Sequence, residues 1–63
     1  MPYRIKEFRE KQRMTQAELS QKANISRQKL IDLESGKESN TTIATLKKIA
    51  SALRCTVTDL FYP

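Results

Sequence analysis

The segment Thr15–Glu34, with the sequence TQAELSQKANISRQKLIDLE, constrains the fold more than any other part of the chain. Thr15 can cap a helix, and Glu18 stands three residues later, which is the spacing of a capping box. Met14 and Leu19 lie on either side of this cap with the spacing of a hydrophobic staple. These residues predict that a helix begins directly after Thr15.

A second helix-start signal follows eleven residues after the first. Ser26 is the cap, and Ile25 and Leu30 form the corresponding staple pair. Asn24 lies between the two helices and suits a left-handed bend, because Asn enters this conformation more readily than most other non-glycine residues. Two short helices joined by such a turn form a helix-turn-helix motif.

The second helix of this motif has an outward face that opens at its N-terminus. If Leu30 points inward and each residue turns by about 100°, the outward side and its flanks can be assigned. They comprise Arg27, Gln28, Lys29, Ile31, Asp32 and Ser35. Arg can bind guanine O6 and N7, and Gln can bind adenine N6 and N7, each through two hydrogen bonds in the major groove. The alternative is a merely solvated helix face, but the two capped helices favour base reading.

Length and charge limit the size of the fold and the kind of partner. Sixty-three residues make one domain at most, residues 1–63, which buries roughly 60% of the unfolded chain's surface. Dimerisation would help such a marginal core. The net charge of +5 and the pI near 9.7 indicate a polyanionic partner. Membranes also attract cations, but no apolar run approaches the ~18 residues needed to span one, and we expect no membrane association.

The residue types present argue against catalysis. The chain has no His, one Cys and one Gly, so it lacks an imidazole base, a zinc site and a Gly-rich phosphate loop. Cys55 could be a nucleophile, but no His activates it, and beside Leu53 and Val57 it is better explained as a small core residue. We expect no enzyme activity, no metal and no cofactor. A lone Cys and a charged N-terminus without a signal-peptide core are consistent with the cytoplasm, on the nucleoid when bound.

Apolar periodicity extends the motif to an all-α architecture of five helices. A first helix is predicted over Tyr3–Gln12, and the motif itself comprises Gln16–Lys22 and Arg27–Glu34. Gly36 is the expected left-handed cap of the third helix. A fourth helix is predicted over Ile43–Leu53.

Further caps and apolar positions complete this prediction. Thr42 caps the fourth helix, and Thr56 with Asp59 begins a short fifth helix, while the polar segment Lys37–Thr41 is a loop. The apolar stripe of the fourth helix comprises Ile43, Leu46, Ile49, Ala50 and Leu53. The predicted core comprises Ile5, Phe8, Leu19, Leu30, Leu33, Leu46, Ile49, Leu53, Val57 and Leu60.

Two positions outside the third helix suggest polar contacts. Arg9 lies at the edge of the predicted core, and its expected partner is Glu34, since a half-buried pair would set the placement of two helices. The alternative is two unpaired surface charges. Gln16 begins the second helix, where backbone N–H groups and the amide can bind a phosphate oxygen.

Four stretches together resemble the Cro and lambda-repressor-like (Xre) family of DNA-binding domains. They are IKEFREKQRMTQAELSQKA, NISRQKLIDLESGK, TIATLKKIASAL and TVTDLF, and they extend from Ile5 to Phe61. Members of that family fold as five helices and bind operator DNA, usually as dimers and mostly as repressors. The resemblance therefore implies a sequence-specific regulator of transcription that binds double-stranded DNA.

The resemblance also implies a role for particular residues. The base-reading positions would be Arg27, Gln28 and Asp32, with Lys29 and Ile31 beside them. Gln16 would contact phosphate and brace the recognition helix, and the backbone would also meet Lys37, Asn40, Thr41 and Thr42. Arg9 and Glu34 match the internal ion pair of the family. Asp32 could accept a hydrogen bond from cytosine N4 or repel phosphates from a wrong register.

The chain departs from the family pattern at three places. Asn24 replaces the usual Gly of the turn, and Arg54 replaces a common Gly after the fourth helix. A non-glycine residue in a left-handed cap costs about 1 kcal/mol, so the corner at Arg54 is expected to be either strained or differently shaped. The loop after Gly36 is one residue longer than usual and lacks the frequent Pro.

A homodimer on a palindromic operator is the expected assembly. One helix reads few base pairs, each contact discriminating by ~1–3 kcal/mol, so two copies are needed against genomic competition. Phe61 and Tyr62 are the candidate dimer residues, although Phe61 is predicted rather to complete the core. Two alternatives are an antitoxin-like or anti-repressor module with secondary DNA binding, and an RNA-binding module. The second is disfavoured because few aromatic residues remain for stacking on bases.

Overall fold

The computed structural model describes residues 3–38 and 41–61. Four α-helices occur in this part of the chain. They are α1 (Ile5–Lys11), α2 (Gln16–Ala23), α3 (Arg27–Ser35) and α4 (Ile43–Leu53). A single 3₁₀ turn, Thr58–Leu60, follows α4. The all-α prediction is confirmed, but the prediction of five helices is wrong, since four α-helices are present.

The helix starts follow from their capping residues. At α2, the Thr15 hydroxyl accepts from the Glu18 N–H at 3.0 Å, and the Glu18 carboxylate accepts from the Thr15 N–H at 2.9 Å. The hydroxyls of Ser26 and Thr42 accept from N–H groups in the first turns of α3 and α4. These caps satisfy N–H groups that a helix end otherwise leaves unpaired, and all three are as predicted.

Left-handed residues end the helices and turn the chain. Asn24 ends α2 with φ 56°, Gly36 ends α3 with φ 83°, and Arg54 ends α4 with φ 57°. The bend at Asn24 is as predicted, and Arg54 adopts the left-handed conformation at the corner where the sequence departs from the usual Gly. Arg13, after α1, also has a positive φ of 56°, which the sequence pattern did not indicate.

The core lies where the four helices meet, with α2 packed against α3 and α4, and α1 against α3 and α4. Its buried apolar residues are Tyr3, Ile5, Leu19, Ala23, Leu30, Leu33, Leu46, Ile49, Ala50, Leu53 and Leu60. Phe8 and Val57, predicted in the core, are only partly buried against it. The Phe8 ring instead contacts the cationic groups of Arg4 and Lys11, at 5.3 and 5.7 Å from its centroid.

One residue of the predicted stripe on α4 faces solvent. Ile43 is 57% exposed, whereas Leu46, one turn later, is buried. Ile43 is the first residue of α4. Ile43 belongs to the predicted stripe but was not among the predicted core residues, since periodicity identifies a face of a helix and not which of its residues are buried.

The predicted fifth helix is replaced by a short turn that joins the two ends of the described chain. The cap forms, with Thr56 and Asp59 exchanging bonds of 3.0 and 3.1 Å. After Leu60 the chain becomes extended, since Phe61 forms an antiparallel bridge with Tyr3, and Leu60 accepts from the Arg4 N–H at 2.7 Å. This pairing stops the helix after one turn and also explains why α1 begins at Ile5 rather than at Tyr3.

Phe61 does not complete the core. Its side chain is 42% exposed and meets the Tyr3 ring edge to face, with the ring centroids 5.5 Å apart. Tyr62 lies outside the described residues. Across those residues, no helix is both long and apolar enough to cross a membrane.

Candidate nucleic-acid interface

The turn between α2 and α3 sets the direction in which α3 leaves the core. The Ile25 N–H donates to the Ser20 carbonyl at 3.0 Å across the left-handed Asn24. The Ile25 side chain is partly buried against the core, so the turn is held from both backbone and side chain. These contacts give α2 and α3 the fixed relative orientation of a helix-turn-helix.

The N-terminal half of α3 presents polar side chains to solvent. Arg27 and Gln28 are exposed, while Leu30 is fully buried on the opposite side. The Gln28 amide nitrogen donates to the Asp32 carboxylate at 2.9 Å. A long polar side chain at each of two successive exposed positions is the arrangement that can reach base edges in a major groove.

The two flanking positions of α3 are less accessible than the sequence pattern indicated. Lys29 is partly buried and forms an ion pair with Glu38, in the segment after α3. The Glu38 N–H in turn donates to the Asp32 carbonyl at 3.1 Å, which holds this segment against α3. Ile31 is also partly buried.

A buried ion pair holds the C-terminal half of α3 to α1. The Arg9 guanidinium donates to both oxygens of Glu34, with Nε–Oε2 at 2.8 Å and Nη2–Oε1 at 3.0 Å. Its remaining nitrogen, Nη1, donates to the Met14 carbonyl at 2.7 Å. Hydrogen bonding to Glu34 raises the pKa of Arg9, so the guanidinium is always charged.

Gln16 connects α2 to the same pair. Its amide Nε2 donates to Oε1 of Glu34 at 3.2 Å, so one carboxylate joins α1, α2 and α3. A shallow cleft opens beside this network and is lined by Lys6, Arg9, Gln16, Ile31, Glu34 and Ser35. Lys6 was not among the predicted site residues, although it lies three positions before Arg9 and so on the same side of α1.

The predicted phosphate contacts differ in how they are placed. Lys37 is exposed, directly after the cap of α3. The Thr42 hydroxyl is occupied in the cap of α4, whereas the Thr41 hydroxyl is buried and has no hydrogen-bond partner. Asn40 lies outside the described residues.

Besides the exposed face of α3, the other candidates for a chemical role are clusters of metal-ligating side chains and the thiol of Cys55. Among residues 3–38 and 41–61, no group of three or more His, Cys, Asp or Glu could hold a metal ion. Cys55 packs against the core, and burial raises the pKa of its thiol, helped by the charge of Asp59. A raised pKa lowers the thiolate fraction at neutral pH, which makes Cys55 a poor nucleophile.

Two capped helices around a left-handed turn, with an exposed polar face on the second, define a helix-turn-helix DNA-binding domain. Comparisons with known proteins agree. A sequence profile of the helix-turn-helix family matches residues 5–60. An uncharacterized HTH-type transcriptional regulator of Archaeoglobus fulgidus is 41% identical over 61 residues, covering 97% of this chain and 86% of that protein.

Two further proteins are similar over much of the chain. The immunity repressor protein of Bacillus phage phi105 is 42% identical over 50 residues, covering 79% of this chain and 34% of the repressor. The fold is similar to that of SinR from Bacillus subtilis, the master regulator for biofilm formation, in its crystal structure with DNA. The TM-score is 0.85 at 29% identity, with 87% of each chain covered.

The chain therefore belongs to the helix-turn-helix family, of the Cro and lambda-repressor-like (Xre) type. It is a helix-turn-helix transcriptional regulator with a repressor-like DNA-binding fold.

Proposed function

We propose that this protein is a sequence-specific repressor that binds a palindromic operator as a homodimer, with α3 in the major groove. The observation that carries this proposal is the exposure of Arg27 and Gln28 at the start of a helix whose other side is buried. Occupancy of the operator would repress by blocking polymerase. The relation to a phage immunity repressor supports repression over activation.

Arg27 and Gln28 are the principal base readers in this proposal. Their side chains suit guanine and adenine respectively, through two hydrogen bonds each. Asp32 lies one turn after Gln28 and belongs to the same surface, while Lys29 and Ile31 flank it. Because Lys29 is paired with Glu38, it would have to exchange this partner to contact DNA.

Phosphate contacts on both sides of the groove would fix the register of α3. Gln16 stands at the N-terminus of α2, where its second amide hydrogen and the unpaired backbone N–H groups are suited to a phosphate oxygen. Lys37 is the exposed cation after α3 and would meet the opposite strand. The segment from Asn40 through Thr41 to Thr42 would approach the backbone through its N–H groups, since the Thr42 hydroxyl already caps α4.

Phe61 is the candidate centre of the dimer surface, together with Tyr62. Phe61 is a large apolar residue that is 42% exposed, and its ring packs edge to face against the ring of Tyr3. Burying this ring against a second copy would remove apolar surface from water. Two copies would then read half-sites about one helical turn, 10 to 10.5 base pairs, apart.

Selection of bound duplexes from a randomised DNA library tests sequence reading and symmetry together. The purified protein is expected to enrich an inverted repeat at near-physiological salt. A single short motif without a repeat would retain sequence reading but contradict the dimer. Binding without enrichment, lost as salt rises, would leave only charge attraction, and binding to a protein partner would then be the better proposal for this fold.

Two substitutions separate base reading from backbone binding. Gln28→Ala is expected to relax or abolish the preference for the operator over random duplexes, because it removes a base contact. Lys37→Ala is expected to weaken binding to both alike and to lower the slope of log K against log salt by about 1. Equal losses on both duplexes for both variants would refute the assignment of the readers.

A further inference from the structure

The hydrogen bond between Gln28 and Asp32 restricts what Gln28 can offer to a base. These residues stand four positions apart on α3 and thus on the same side of the helix. Nε2 of Gln28 lies 2.9 Å from Oδ1 of Asp32. An ionised carboxylate only accepts hydrogen bonds, so the amide must turn its NH₂ group, and not its oxygen, toward Asp32.

The hydrogen-bonding groups that remain free on the Gln28 amide match adenine better than guanine. A free glutamine has two N–H donors and one carbonyl acceptor. It could therefore give both donors to the two acceptors of guanine, O6 and N7, or one donor and its acceptor to N7 and N6 of adenine. With one N–H committed to Asp32, a single donor and the carbonyl oxygen remain. That pair matches adenine, whereas guanine O6 would face a carbonyl oxygen or stay unpaired.

We infer that Asp32 is a positioning residue, which makes Gln28 select adenine over guanine by occupying one of its two amide hydrogens. This inference rests on the proposed reading of DNA by α3. It gives Asp32 a role through Gln28, instead of direct acceptance from cytosine. It also explains how the acidic side chain of Asp32 can lie on a surface that binds a polyanion, since one of its carboxylate oxygens already accepts a hydrogen bond from Gln28.

Binding competition at one base pair tests the inference. The operator would first be selected with the wild-type protein, and the position read by Gln28 is the one whose preference disappears in Gln28→Ala. At that position, the wild type is expected to favour adenine over guanine by roughly 5- to 150-fold, the range of one good bidentate contact. Asp32→Ala is expected to reduce this ratio to within a few-fold of one, mainly through improved binding of the guanine duplex.

Asp32→Asn is the matched control for charge. Both Asp32 variants remove a negative charge near the phosphates, and both are expected to bind all duplexes more tightly. Asn retains an oxygen that can accept from Gln28, so Asp32→Asn should retain more of the adenine preference than Asp32→Ala. In Gln28→Ala/Asp32→Ala, the second substitution should change nothing further at this position, because its effect passes through Gln28.

Three results would overturn the inference, and they are distinguishable. An unchanged adenine-to-guanine ratio in Asp32→Ala would show that the hydrogen bond does not direct Gln28. A preference lost at a different base pair, in particular at a cytosine, would show that Asp32 reads a base itself. If wild type enriches no position, or Gln28→Ala changes none, the proposed sequence reading fails first. Circular dichroism would verify that each variant remains folded.

Discussion

Removing one partner of the Arg9–Glu34 pair should destabilise the fold far more than removing both. The Glu34 side chain is 4% exposed and that of Arg9 is 11% exposed, so neither charge can turn to water in place. In Glu34→Ala, Arg9 would keep its bond to the Met14 carbonyl but lose two bonds to carboxylate. An uncompensated charge would then remain in the interior.

The magnitude is large on the scale of so small a protein. Breaking a buried pair from one side costs about 3–5 kcal/mol. A chain of this length has a total stability of roughly 3–9 kcal/mol, at 0.05–0.15 kcal/mol per residue. Glu34→Ala is therefore expected to remove most of the protein's free energy of unfolding. Replacing both residues by apolar ones of similar size, as in Arg9→Met/Glu34→Leu, is often neutral or stabilising, because no charge remains to be desolvated.

Urea unfolding followed by circular dichroism would measure these differences. With a slope of about 1 kcal/mol/M, at the lower end for small proteins, Glu34→Ala should lower the midpoint by roughly 3–5 M or unfold without urea. Glu7→Ala is a control, since it removes a partly exposed pair with Arg4, between residues three apart at the start of α1, and should scarcely move the midpoint. If Glu34→Ala cost less than about 1 kcal/mol, or the double variant were as unstable as the single one, the argument from buried charge would be refuted.

Three other perturbations have defined outcomes. Arg54→Gly should raise the urea midpoint, with the free energy of unfolding higher by about 0.5–1 kcal/mol. Arg54 has φ 57°, and glycine adopts this conformation without a steric cost. This gain should exceed the loss that comes from the greater backbone entropy of glycine in the unfolded chain. The pKa of Glu18 is lowered, chiefly by the Thr15 N–H, so its contribution to stability is complete above its ordinary pKa near 4.5 and lost as pH falls below it. The stability difference between wild type and Glu18→Gln should accordingly shrink on acidification, and a constant difference would contradict this. Glu38→Ala should free Lys29 from its ion pair and tighten binding to all duplexes a few-fold. The slope of log K against log salt should become steeper by about one phosphate contact. An unchanged slope would show that Lys29 does not reach DNA.

Most of the fold could be predicted because its signals are local. The starts of α2, α3 and α4 depend on side chains that bond to N–H groups three residues later. The left-handed conformations of Asn24 and Arg54 follow from where a helix must end. The inward positions of α3 follow from its period of 3.6 residues. Each of these interactions is set by spacing along the chain, which the sequence displays directly.

The errors lie where residues distant in the chain decide the structure. The fifth helix is cut short by pairing between Tyr3 and Phe61, at opposite ends of the described residues. Phe61, which was predicted to complete the core, takes part in this bridge and is exposed. Ile43 follows the period of its stripe but is 57% exposed. No pattern within one helix contains this information.

In the candidate interface too, features set by local spacing could be predicted and contacts with the following loop could not. The positions on α3 that face solvent could be assigned from helix geometry, and the Gln28–Asp32 bond joins residues at a spacing of four. The ion pair between Lys29 and Glu38 could not be predicted, since it depends on the path of the chain after Gly36. Helical spacing thus identifies which side chains share a surface. Which of them already forms an ion pair depends on the path of the chain after Gly36.

In the proposed reading of DNA by α3, the polar network around Glu34 would hold so short a helix in a fixed orientation. A nine-residue helix is marginal in water even with good helix formers, so α3 must be held by its surroundings. Leu30 and Leu33 anchor it to the core, but apolar contacts tolerate small rotations and shifts. The carboxylate of Glu34 receives directed hydrogen bonds from α1 and from α2, and these restrict rotation of α3 about its axis. If Arg27 and Gln28 read bases as proposed, a small shift of α3 would misplace both side chains, so the buried charges near one end of α3 would support selectivity at the other.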